Sequence, residues 1–143
     1  MTIRTVIAGG SLDKLDLNCA EKILYAANEA YGLQLDPRAL RLAAGFGGGL
    51  GCGLTCGALS GGAMALGCLF VQQRAHESGQ IKALCGELVA RFQTKMGAVD
   101  CTMLKPRYHR PEVGCRDVIL TAAGVLDEII ERENARFHQE QGE

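Results

Sequence analysis

The sequence contains no tryptophan, and its seven aromatic residues, four Phe and three Tyr, form no belt around any apolar stretch. That absence counts against a membrane span, whose ends are anchored by Trp and Tyr at the interface. Nor is there a surplus of positive charge. Fifteen basic residues stand against sixteen acidic, a net charge of −1, which excludes the electrostatic grip that nucleic-acid binding requires. No CxxC occurs among the seven cysteines, so neither a compact redox pair nor the paired ligands of common zinc sites can be read directly from the chain. The glycine-rich run at 45–53 lacks the lysine of a phosphate-binding loop and follows no strand pattern, which removes nucleotide binding by that mechanism. No stretch alternates with period two, so strands are not expected. His76, His109 and His138 lie in polar or flanking segments with no carboxylate at triad spacing, which argues against hydrolytic catalysis. The first ten residues lack a basic start followed by an apolar stretch, a pattern that predicts a cytoplasmic protein rather than a secreted one.

What remains is a chain of 143 residues and 15.2 kDa, 48% apolar and 22% charged, which predicts one domain over 1–143 with enough apolar surface for a core. Residues 42–73 carry no charge, and ten of the 19 glycines fall between Gly45 and Gly67. Glycine lowers both helix propensity and apolar area, so the stretch reads better as a central buried helix than as a span. Gly53, Gly57, Gly61 and Ala65 fall on one stripe of that helix, beside a ridge of Cys52, Cys56, Ser60, Met64 and Cys68. A bare stripe lets another backbone approach closely. A helix of this chain, a second copy in a homo-oligomer, or a bound cofactor at Gly57 and Gly61 could occupy it.

Amphipathic helices surround this segment. Residues 81–96 place Ile81, Leu84, Cys85, Leu88, Val89, Phe92 and Met96 at steps of three and four. Residues 115–136 repeat the pattern with Val118, Ile119, Ala122, Leu126, Ile129 and Ile130, and put Glu128 and Arg132 at pairing distance outside. Another helix runs from Cys19 to Tyr31 and stops at Gly32, and Asp36-Pro37 opens the next. The fold is expected to be all-α: a compact bundle of about five helices around a central glycine-rich helix, with a short turn near Cys101.

Four cysteines share a local setting. Asn18, Thr55, Asp100 and Gly114 precede Cys19, Cys56, Cys101 and Cys115, and each is an accepted helix-capping type. A thiol in the first turn of a helix faces unpaired N–H groups and the positive end of the helix dipole, which favours thiolate. Cysteine is equally a small core residue. Cys68 and Cys85 lie on apolar faces and are expected in the core, and Cys52, in the glycine run, either approaches Cys56 or faces inward.

The order Asn18-Cys19-Ala20-Glu21, then Gly45-Phe46-Gly47-Gly48-Gly49 leading into Cys56-Gly57-Ala58-Leu59-Ser60-Gly61, then Cys101 and Cys115, resembles the C_GCAxxG_C_C family of redox-active proteins over about 17–130. The resemblance implies a small helical protein with four functional cysteines, Cys19, Cys56, Cys101 and Cys115, and gives no role to Cys52, Cys68 or Cys85. Three functions compete. The four thiols could cycle between dithiol and disulfide, passing electrons to a redox partner protein. They could instead ligate an iron–sulfur cluster or another metal, although separations of 37, 45 and 14 residues are wide for such sites. Or the glycine stripe could serve assembly, the thiols being incidental. Lys105-Pro-Arg-Tyr-His-Arg-Pro, between Cys101 and Cys115, reads either as an exposed basic connector or as a group that lowers thiolate pKa and binds an anionic partner.

Overall fold

A computed structural model describes residues 1–140 as eight α-helices without a strand among the described residues. They are α1 (Ile3–Ala8), α2 (Cys19–Tyr31), α3 (Pro37–Leu40), α4 (Gly57–Phe70), α5 (Ala75–Ser78), α6 (Ile81–Met96), α7 (Cys101–Tyr108) and α8 (Arg116–Glu140). A 3-10 turn over Arg41–Phe46 and a tight glycine turn over Gly49–Gly53 connect α3 to α4. No helix is long and apolar enough to cross a membrane among the described residues.

The central helix is α4, which packs on α2, α6 and α8. Toward the core α6 contributes Leu88 and Phe92, and α8 contributes Leu126, Ile129 and Ile130, all buried. Gly62 marks the closest approach to that side, since a methyl group there would lie 2.8 Å from Leu88 Cδ2 and 3.5 Å from Leu126 Cδ2. The wet faces of α6 and α8 are laced together by charge. Glu128 and Arg132 do not pair with each other as their spacing suggests. Arg132 instead holds Glu87 of α6 through two 2.8 Å bonds, and Glu128 accepts from Arg91 of α6. The Glu87 carboxyl is accordingly held below its ordinary value, chiefly by its hydrogen bond to Arg132. Such exposed pairs orient the helices more than they stabilise them.

Three elements exceed or alter the expected bundle. The first is α1, capped by a reciprocal Thr2–Thr5 box and fixed by Asp127 of α8. The buried Asp127 carboxylate accepts from the N–H of Ile3 at 2.8 Å, the N–H of Arg4 at 3.0 Å and the hydroxyl of Tyr31 at 2.8 Å. An anion at a helix N-terminus satisfies donors that the helix cannot. The second is α7, a full helix where only a turn was expected, and it takes in the basic segment Lys105–Tyr108 that reads as a connector. The third is the start of α4 at Gly57, which leaves Cys52 and Gly53 outside the helix and dissolves the proposed ridge from Cys52 to Cys68. Cys68 is exposed rather than buried, and Cys85 is half-buried.

Candidate functional site

Cys19 is the first residue of α2, under the capping box that the sequence predicts. Asn18 Oδ1 accepts from the Glu21 N–H at 3.0 Å, and Glu21 Oε1 accepts from the Asn18 N–H at 3.0 Å. Cys101 likewise opens α7 after Asp100, whose side chain makes no capping bond. The other two settings are corrected by one residue. Cys56 is itself the N-cap of α4, with φ −53° and ψ 131°, and Thr55 instead pairs with Asp100 in an isolated antiparallel bridge. Cys115 directly precedes α8 and its carbonyl accepts from the Ile119 N–H at 3.0 Å, while Gly114 adopts φ 62° in a turn closed by the Arg110–Gly114 bridge.

Glycine draws these segments together. A methyl group at Gly57 would lie 3.2 Å from the Ala20 nitrogen, and one at Gly61 would lie 2.6 Å from the Ala20 carbonyl oxygen. Because Ala20 follows Cys19 and Gly57 follows Cys56, this crossing brings the starts of α2 and α4, which carry the two cysteines, together. The glycine face expected to hold a cofactor at Gly57 and Gly61, or a second copy, is therefore covered by the α2 backbone of the same chain. Cys101 arrives by a second route. The Cys56 N–H donates to Val99 O at 2.8 Å, the Cys101 N–H donates to Leu54 O at 2.7 Å, and Thr102 Oγ1 donates to Gly53 O at 2.8 Å.

The electrostatics record the convergence. Ionised Cys101 raises the pKa of Cys19, Cys56 and Cys115, and ionised Cys19 raises those of Cys56 and Cys115. Cys19, Cys101 and Cys115 line one cavity of about 240 Å³, together with Lys105 and His109. Cys56, at 4% exposure, is buried and does not line it. The basic segment singled out in the sequence thus supplies two side chains to the thiol cavity.

Burial reverses the expected acidity. Desolvation pushes the Cys56 thiol up to about 12, outweighing the N–H groups of Ala58 and Leu59 that face its sulfur. Burial also raises Cys19, against the backbone N–H groups of Gly48 and Cys19, and raises Cys115. First-turn donors favour a thiolate, but a neutral thiol is favoured more strongly where water is excluded. Stability carries the sign. An unfolded thiol ionises from its ordinary value of 9.0, whereas folded Cys56 holds its proton to about 12. The contribution is fully present below 9.0 and is lost as pH rises toward 12. Urea unfolding followed through that window should show a decline that is shallower in Cys56→Ser. An identical pH slope in both proteins would contradict the burial of this thiol.

Among the described residues, no group of three or more His, Cys, Asp or Glu side chains is arranged to hold a metal ion.

A family model described as "Putative redox-active protein (C_GCAxxG_C_C)" matches residues 17–129. The box in this chain reads Cys56-Gly57-Ala58, with cysteine before glycine, where the printed signature has glycine before cysteine. No curated protein and no solved structure matches the chain.

Proposed function

The chain belongs to the C_GCAxxG_C_C family, whose description is redox-active, and from that premise we propose that it transfers electrons by thiol–disulfide exchange through Cys19, Cys56, Cys101 and Cys115. The observation that supports this reading is the cavity lined jointly by Cys19, Cys101 and Cys115, with the Cys56 N–H bonded two residues from Cys101, on Val99 O at 2.8 Å. Joining thiols at one cavity takes a rearrangement that brings their Cα atoms within about 7 Å, and their neutral forms repel no neighbour.

The chemistry needs a disulfide on the partner protein. A thiolate of this chain, having lost its proton to water, attacks one partner sulfur; the partner's S–S bond breaks, its other sulfur leaves and takes a proton, and a mixed disulfide forms. A second thiolate of this chain attacks its own sulfur in that mixed disulfide, releasing the second partner thiol. Two thiols here are oxidised and one partner disulfide is reduced to two thiols, so electrons and protons balance. The cavity that holds Cys19, Cys101 and Cys115 supplies the attacking sulfurs, and buried Cys56 receives the disulfide last.

Thiol counting tests this. In a chain carrying Cys52→Ser, Cys68→Ser and Cys85→Ser, mild oxidation should remove the remaining thiols in pairs, and peptide mapping should find the four joined to one another. Four free thiols after oxidation, in a protein that keeps its helicity and associates normally, would favour an assembly role. Iron and sulfide analysis after anaerobic purification is the companion measurement, because stoichiometric iron and sulfide with visible absorption would replace this reading by a cluster protein.

A further inference from the structure

Cys52 stands outside the four-cysteine pattern, yet it lines an open groove of about 730 Å³ together with Cys101. It is exposed, whereas Cys56 is buried. The chain around Cys52 is held against α7 at two points, Thr102 Oγ1 on Gly53 O at 2.8 Å and the Cys101 N–H on Leu54 O at 2.7 Å. Each bond joins an immediate or second neighbour of Cys52 to Cys101 or the residue beside it. A disulfide requires Cα atoms within about 7 Å, and these bonds place the segment that carries Cys52 beside the start of α7, with Leu54 opposite Cys101. Left-handed conformations surround Cys52: Leu50 at φ 60°, Gly51 at 72° and Gly53 at 83°. The Cys52 thiol donates to Gly49 O at 3.6 Å, a weak bond that it gives up to reach Cys101. Gly48, Gly51 and Gly53 leave the wall bare, and the charged or imidazole side chains on the groove are Lys105 and His109, with no carboxylate.

We infer that Cys52 is the entry thiol of this redox system: it captures an incoming anionic disulfide in the groove and passes the oxidation to Cys101. The inference rests on the redox reading of the four thiols and adds a fifth. The Cys52 thiolate attacks the incoming disulfide, forming a Cys52 mixed disulfide and releasing one thiol. The Cys101 thiolate then attacks Cys52 Sγ, forming Cys52–Cys101 and releasing the second thiol. Finally the Cys19 thiolate attacks Cys101 Sγ, which forms Cys19–Cys101 and regenerates the Cys52 thiol. One disulfide is consumed outside and one is formed inside, with the protons of two protein thiols ending on the two released thiols.

The test uses oxidised glutathione, a small disulfide of net negative charge, and cystamine, a cationic one, on the full chain. In Cys101→Ser, which blocks the second step, brief exposure to oxidised glutathione should place the mixed disulfide on Cys52 about tenfold more than on Cys68, which is also exposed. In Cys19→Ser, which blocks the third step, mapping should find Cys52–Cys101, and in the parent background Cys52→Ser should slow oxidation of the other four thiols about tenfold. Equal labelling of Cys52 and Cys68, no Cys52–Cys101 link, a faster reaction with cystamine, or an unchanged rate in Cys52→Ser would each overturn the inference. If the four pattern thiols still oxidise together in Cys52→Ser at the parent rate, the proposed function stands and the entry role alone falls. If they oxidise in neither protein, both fall.

Discussion

Gly61→Ala will destabilise the fold by about 3 kcal/mol, at the upper end of what overpacking a tight interior costs, while Gly67→Ala in the same helix will stabilise it by up to about 1 kcal/mol. The opposite signs follow from what each new methyl group meets. At Gly61 it would lie 2.6 Å from the Ala20 carbonyl oxygen and 3.2 Å from the Ala20 Cα and carbonyl carbon. Those are backbone atoms in the first turn of α2, where the Asn18–Glu21 box fixes the chain, so no flexible side chain can give way. The gain in helix propensity, about 1 kcal/mol, cannot offset that clash. At Gly67 nothing lies within 4 Å of the added carbon, and only the propensity gain remains. Urea unfolding of the two variants and the parent measures both effects. Two changes of the same sign would show that the α2–α4 crossing is not close-packed at Gly61. Displacement of α2 also parts Cys19 from Cys56, so the less stable variant should form the internal disulfides more slowly even where it is folded.

The parts of this molecule that were legible in its sequence are those governed by local rules. The limits of α2 and α6 follow from a capping box, from apolar steps of three and four, and from glycine at the stop, all within one helix. The helix α1 is not legible that way: its six residues give too short a period, and the carboxylate that anchors it belongs to Asp127 on the last helix. Cys68 was misplaced because a helix apolar on every side does not reveal which side its neighbours leave open. The cap at Cys56 was displaced by one residue because Thr55 is engaged by Asp100, a pairing between distant segments. Acidity went wrong for the same kind of reason. The first-turn N–H groups are a local property of the chain and were anticipated, whereas the desolvation that outweighs them at Cys56 arises only when α2, α4 and the 99–101 segment close over the sulfur. The glycines were legible as a stripe, but its occupant, the backbone beside Cys19, emerges from the tertiary fold alone.

Cys101→Ser is expected to slow electron transfer by about two orders of magnitude or more, since a hydroxyl is no nucleophile toward a disulfide at neutral pH, while leaving the fold intact. Cys101 is the cysteine shared by both cavities, the smaller one with Cys19 and Cys115 and the larger groove with Cys52. Its charge also acts on Cys19, Cys56 and Cys115 alike. A disulfide moving from the groove to the buried thiols therefore passes through this atom. Structural damage should be small, because Cys101 is only partly buried and serine is well accepted at the start of a helix. Unchanged helicity and unfolding midpoint would document that. A second readout separates a nucleophile from a mere neighbour: with the Cys101 charge gone, the titration of Cys19, Cys56 and Cys115, followed by alkylation rate against pH, should each shift downward, because one of the causes that raises them has been removed. All three shifts should be partial, since burial is the largest cause for each. A serine variant that exchanges disulfides at the parent rate would remove Cys101 from the relay. One that loses activity with all three titrations unmoved would mean that its sulfur lies out of electrostatic reach of the others, and the four-thiol arrangement would have to be abandoned with it.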